Sequence, residues 1–325
     1  MAVTLCLGFA NHQLDSTGSA VETEVNINRR VMLGRLLGGS AAIELRAAGN
    51  SESVEVGGST LDVEIDSDAF ELGRTALLDW VMRSAKAVTA YFGRFPVTRA
   101  RIHITASQFD RVSNGVSFGD GGPRCRISVG RHSTLAALYN DWVLTHEMIH
   151  FSFPSVEDRH RWIEEGIATY VEPIARASVG ILTAERVWAD MLQNMSQGLP
   201  QAGDRGLDQT QTWARTYWGG ALFCLVADVE IRKRTGNSKG LRDALRAINR
   251  AGGTIDVDWS LERAFAIGDI ATDGGTLMEL YGRMASGPVT VDLPQMWTQL
   301  GVVSTGQRVA LDDHAPWAAI RSGIC

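Results

Sequence analysis

The first part of the chain alternates apolar and polar residues over short runs. Val21–Asn28, Ala41–Ala47, Ser53–Val56 and Leu61–Ile65 keep a period of two between Gly, Ser and Asn turns, which predicts half-buried β-strands. The period then changes. Leu77, Leu78, Val81, Met82, Ala85 and Val88 recur at helical spacing, predicting a helix over Glu71–Phe92 that Gly93 stops. Arg101–Thr105 reads as strand again. A glycine-rich segment, Asn114–Gly122, leads into another predicted strand, Cys125–Val129. Glycine there marks a turn, or backbone that must approach something closely. From Ser133 onward nearly every segment has helical periodicity. The order β-rich, mixed, α-rich predicts an α+β fold rather than a doubly wound parallel sheet. Three regions are expected: a β-rich accessory region over 1–70, a mixed α+β domain over 71–180 and a helical domain over 181–325.

Composition narrows the class of protein. The 325 residues are 45% hydrophobic and 21% charged, which supports a packed core and excludes wholesale disorder. The longest strongly apolar run, Tyr217–Ala227, is about half the ~20 residues a membrane-spanning helix needs. No integral membrane segment is expected. The net charge of −6 leaves no basic footprint for nucleic acid beyond Arg232–Arg234, which reads as the solvated end of a helix. The four cysteines, Cys6, Cys125, Cys224 and Cys325, are far apart and form neither a zinc quartet nor a dense disulfide framework. Cys224 reads as a core residue. Residues 1–10 are apolar without a basic flank. They read as a strand, with the tail of a truncated signal peptide as the alternative, so both cytoplasmic and periplasmic or secreted locations stay open.

The informative stretch is His146-Glu147-Met148-Ile149-His150. It lies on a predicted helix capped near Ser133 or Thr134, buried through Leu135, Leu138, Trp142 and Val143, and ended by Pro154. Residues four apart share a helix face, so His146 and His150 can present imidazoles to one ion. Glu147 points to a neighbouring angle and can reach a water on that ion as general base. The plain alternative is a buried helix with two incidental histidines. Trp162–Pro173 forms a second short helix after the capping-type start Ser155-Val-Glu-Asp158. A catalytic zinc usually takes three protein ligands, and a Glu on this second helix can supply the third. Glu165 is the choice, because small Gly166 and Ala168 let the two helices approach. Glu164 reads as a solvated position. Glu172 is either solvated or a hydrogen-bond partner of a ligand histidine.

These motifs resemble the gluzincin metallopeptidases, in particular the aminopeptidase N and glycyl aminopeptidase groups, which carry HExxH followed by WxxEGxAxYxE. Trp162, Glu165, Gly166, Ala168, Tyr170 and Glu172 match the second motif position by position. A third match lies in Arg215–Ala221, where the family has a tyrosine that stabilises the tetrahedral intermediate. Tyr217 inherits that candidate role, and the resemblance extends over roughly Leu77–Val303. It implies one Zn2+ per chain on His146, His150 and Glu165, with Glu147 as general base. It also implies a thermolysin-like core: a sheet with an edge strand beside the cleft, two zinc helices and a helical C-terminal domain. Two departures stand out. Only fourteen residues separate His150 from Glu165, and the assignment of Glu165 over Glu164 rests on the motif rather than on that count. The GAMEN sequence that holds a substrate's amino terminus is absent, and the glycine-rich segment in its place offers Asp120 alone, which also reads as an ordinary turn residue.

The resulting expectation is a zinc peptidase acting on a peptide or protein substrate, with endopeptidase and aminopeptidase action both open. Its rivals are a retired peptidase fold serving as a binding or assembly module and, more weakly, another zinc–water reaction such as epoxide opening. Tyr170 is expected to pack, Arg215 to lie on the surface, and His103, His132 and His160 to be strand, loop and helix-surface residues.

Overall fold

The computed structural model describes residues 4–7, 51–66, 70–272, 274–306 and 308–325. The strands expected at 21–28 and 41–47 lie outside these residues. The described part begins with strands β1 (Thr4–Leu7), β2 (Ser51–Val56) and β3 (Ser59–Ile65), then helix α1 (Gly73–Phe92). Strands β4 (Arg99–Ser107), β5 (Val112–Phe118) and β6 (Arg124–Gly130) follow. Helices α2 (Leu135–Asn140), α3 (Val143–His150), α4 (Arg161–Ser178) and α5 (Ala184–Asn194) come next. A π-helical turn, Arg215–Gly219, opens α6 (Gly220–Arg234). The chain ends with α7 (Leu241–Arg250), α8 (Leu261–Thr272), α9 (Thr276–Met284), α10 (Leu293–Leu300), the hairpin β7 (Val302–Ser304) and β8 (Val309–Leu311), and α11 (Ala318–Ile324).

Six strands form one mixed sheet in the order β1-β5-β6-β4-β3-β2. Its centre, β6-β4-β3, is parallel, and the pairs at both ends are antiparallel. The period-two reading of β3 holds strictly: Leu61, Val63 and Ile65 are buried and Asp62 and Glu64 are not. β3 pairs with β4 across the boundary expected at residue 70. Residues 51–65 belong to the same sheet as β4–β6. The glycine-rich segment is likewise mostly strand. Asn114–Phe118 pairs with β6 on one side and, in part, with β1 on the other. β1 is the strand expected within residues 1–10.

The helix expected to run unbroken from Ser133 to Pro154 is two helices. Thr134 caps α2 through a bond from the Ala137 N–H at 3.1 Å, as its position suggested. The chain then breaks at Asp141, whose carboxylate accepts the N–H groups of Val143 and Leu144, both at 3.1 Å, and starts α3 afresh. Leu135 is exposed as a result, while Leu138 and Val143 are buried. Every residue of α3 is buried. α4 is longer than expected, passing through Pro173 to Ser178. The Arg232–Arg234 run is only partly solvated, since Arg232 is buried against Asp228 at 2.8 Å.

Two glycines set how closely α4 and α6 approach. A Cβ on Gly166 would lie 2.3 Å from the Gly220 carbonyl carbon, and one on Gly220 would lie 1.9 Å from the Trp162 carbonyl oxygen. Backbone cannot yield to such contacts as a flexible side chain can. Gly166→Ala is expected to lower stability in urea unfolding by about 1–3 kcal/mol, the usual cost of forcing extra volume into a packed contact.

Candidate metal centre

α3 and α4 bring three ligating groups to one point. The Nε2 atoms of His146 and His150 lie 3.3 and 3.7 Å from Glu165 Oε2. All three ligand atoms fall within 4.8 Å of one another, and their residues are buried. Ligands held at ~2.1 Å by a tetrahedral zinc stand ~3.4 Å apart, so this triangle has the size of such a coordination face. His150 Nε2 is buried without a hydrogen-bond partner. An unpartnered imidazole nitrogen beside a buried carboxylate fits the donor set of a cation site.

The electrostatics fit the same account. Burial pushes the His150 imidazole down to about 3, which keeps it neutral and its lone pair available at neutral pH. Burial alone would also lower His146, but the bond and charge of Glu165 outweigh it and raise this imidazole. Burial would raise Glu165, but His146 and His150 hold it below the usual carboxylate range. Arg161 adds to this, with its Nη2 3.3 Å from the other carboxylate oxygen.

Glu147 is fully buried on the next position of α3, facing β5. Ser117 Oγ lies 2.7 Å from Glu147 Oε2 and 2.9 Å from the Glu147 carbonyl oxygen, so its hydroxyl can donate to either. Gly115 stands two residues away on the same strand face. A Cβ there would come within 2.6 Å of Glu147 Cγ, so glycine is what allows the strand to lie against the glutamate. Sequence reasoning located this close approach only as a glycine-rich segment and missed Ser117. The available signal was Gly115 and Ser117 at period two.

Tyr217 sits in the π-helical turn at the start of α6 and is buried. Its ring stacks on His146, with centroids 6.2 Å apart and planes at 21°. Trp213 also stacks with Tyr217, at 5.5 Å and 24°. This grouping of rings was also missed, because nothing in the linear sequence relates Trp213 to His146. The turn is anchored by Arg215, which is buried rather than on the surface. It pairs with Asp204 at 2.7 Å and donates to the Gly198 carbonyl.

Several flanking residues differ from expectation. Glu164 is half-buried, and its carboxylate accepts the Val156 N–H at 3.0 Å; burial pushes it up to about 8. Glu172, left open between a solvated position and a partner of a ligand histidine, is buried and bonds Arg176 at 2.8 Å, while His146 Nδ1 has no hydrogen-bond partner. His160 is buried rather than on a helix surface. Asp208 Oδ1 meets His160 Nδ1 at 2.8 Å and also accepts the Trp162 indole N–H at 2.7 Å, tying down the start of α4. Tyr170 is packed, with its hydroxyl donating to Asp228 at 3.0 Å. Asp120 lies in the turn after β5, 3.4 Å from Arg124. His103 and His132 sit on a strand and in a loop, paired with Asp66 and Glu71.

The geometry predicts a pH-dependent metal affinity. The raised His146 must shed its proton before it can ligate, so binding releases protons. Below the His146 pKa, apparent zinc affinity in a chelator-competition titration should fall about tenfold per pH unit, and above it should level off.

No protein-family model and no curated protein matches the sequence. Solved structures do. An aminopeptidase N family protein from Idiomarina loihiensis aligns over 78% of this chain and 49% of its own length, with a TM-score of 0.58 and 12% identity. A mutant of a two-domain M1 zinc metallopeptidase bound to L-tryptophan aligns over 76% of this chain and 53% of its own, with a TM-score of 0.50 and 18% identity. The chain thus spans about half the length of these structures. At such identities the likeness is one of fold, and the fold here is the α+β arrangement of the M1 aminopeptidase-like structures.

Proposed function

We propose that this chain is a single-zinc peptidase. The observation that carries the reading is the buried triangle of His146, His150 and Glu165, with Glu147 beside it on the same helix. Two neutral imidazoles and one carboxylate are the donor set of a catalytic rather than a structural zinc, because they leave a coordination position for water. Bound there, zinc supplies a Lewis acid that brings the pKa of a water from about 16 toward 7.

The chain's own residues do the rest. Glu147 takes the proton as water attacks the peptide carbonyl carbon, then delivers it to the leaving nitrogen. Ser117 holds the Glu147 carboxylate in place, so the base meets the water without first reorienting. Tyr217 donates its hydroxyl to the oxyanion that develops on the carbonyl oxygen. Its position follows from the ring stack on His146 and from the Arg215 anchor.

The decisive experiment combines metal analysis with turnover of an internally quenched peptide library and a set of aminoacyl amides. Protein prepared without chelator is expected to hold one zinc per chain and to cleave at least one member. Glu147→Gln should keep the zinc and lose about 100-fold or more of kcat. Stoichiometric zinc with no cleavage of any member would instead favour a binding module on this fold. Ser117→Ala should keep zinc and lower kcat about 10- to 100-fold, the value of one hydrogen bond to a charged group.

A further inference from the structure

Beside the metal centre is a cavity of about 270 Å³, lined by Arg161, Gln211, Trp213, Thr216 and Tyr217 among others. Its charged lining residues are Arg159 and Arg161 against one acid, Asp158. Arg159 is paired with Glu157 at 3.0 Å. Arg161 is placed differently. Its Nη2 lies 3.3 Å from Glu165 Oε1, the carboxylate oxygen other than the one facing the two histidines. Its side chain is 40% exposed, while its Nε is buried with no hydrogen-bond partner.

A partly exposed guanidinium at the wall of a cavity lined by two arginines and one acid favours an anionic acceptor. A guanidinium presents its donors as a planar fork matched to a carboxylate. Glu165 Oε1 already meets Arg161 Nη2, but the same carboxylate faces His146 and His150 through its other oxygen. With a divalent ion held there, the ion and Arg161 together would outweigh that one carboxylate and leave net positive charge beside the cavity. An ammonium in the same place would be repelled by both. Trp213, 41% exposed, gives the cavity an apolar wall for the rest of the residue that carries the carboxylate.

We propose that Arg161 forms a substrate subsite for a carboxylate, supplied by either a free peptide C-terminus or an acidic side chain next to the scissile bond. This deepens the peptidase reading and rests on it for the identity of the ligand as a peptide.

The test is calorimetry on zinc-loaded Glu147→Gln protein with three acetylated tripeptides: one with a free C-terminus, its C-terminal amide, and the amide carrying a terminal glutamate. At least one carboxylate peptide should bind about tenfold or more tightly than the neutral amide, and which one does so identifies the source. Adding Arg161→Gln should collapse that preference to within about threefold, and Arg161→Lys should keep part of it, since the charge remains but the fork is lost. Zinc content is measured in each variant, and Arg161→Met serves the same comparison if the glutamine variant loses its metal. Equal binding of acid and amide overturns the proposal, as does failure of all three to bind. A preference that survives removal of Arg161 also overturns it, because the zinc alone would then be holding the carboxylate. Cleavage of neutral peptides by the wild-type protein without any such preference removes this subsite and leaves the peptidase reading intact.

Discussion

The structure is organised around a charge that must be balanced. Glu165 is fully buried; its Oε2 lies 3.3 and 3.7 Å from two imidazoles of the preceding helix, and its Oε1 lies 3.3 Å from Arg161. A buried carboxylate without a positive partner is costly by several kcal/mol. One of those imidazoles is pushed so far down by its surroundings that it does not take a proton in the neutral range. Arg161 meets one oxygen of this carboxylate, and the other oxygen faces a site suited either to a proton on His146 or to a cation that all three groups would share. A divalent ion uses every donor at once, which the proton cannot.

Much of the surrounding architecture serves to bring those groups together. Asp141 breaks the polypeptide and restarts it as α3, so the histidines sit on a short, wholly buried helix with its own cap. Asp208 grips His160 and Trp162 and so sets the start of α4, four residues before Glu165. Gly166 against Gly220 draws α6 onto α4, and that approach carries Tyr217 to the face of His146. On the far side, Gly115 lets β5 lie on Glu147. Four unrelated local devices, a helix cap, an aspartate clamp and two glycine contacts, converge on a volume a few ångströms across.

Arg161 shows how one position can belong to two environments. It is a helix neighbour of Glu165 at i,i+4, the usual spacing of a solvent-exposed pair. Here its partner is fully buried and its own guanidinium borders a cavity. The same residue thus lends charge to the metal side and presents charge to the cavity side. Trp213 and Tyr217 continue that wall into the ring stack over His146, so cavity and metal centre share side chains rather than merely adjoining.

The sequence by itself determined the helix faces, the α+β order and the placing of His146 and His150 on one helix face. These depend on periodicity and on residue types at fixed helical spacing, which the covalent chain sets locally. His146 and His150 must share a face of any helix that contains them. Only the tertiary structure decided that residues 51–65 join the main sheet, that Arg215 and His160 are buried, that Glu172 bonds Arg176 and that Ser117 and Trp213 border the site. Apart from the i,i+4 pair Glu172–Arg176, each depends on partners more than ten positions away in the chain, whose approach is fixed by packing rather than by spacing. An arginine or histidine reads as solvated in isolation because burial of a charge requires a partner, and the linear sequence does not reveal which aspartate that partner will be.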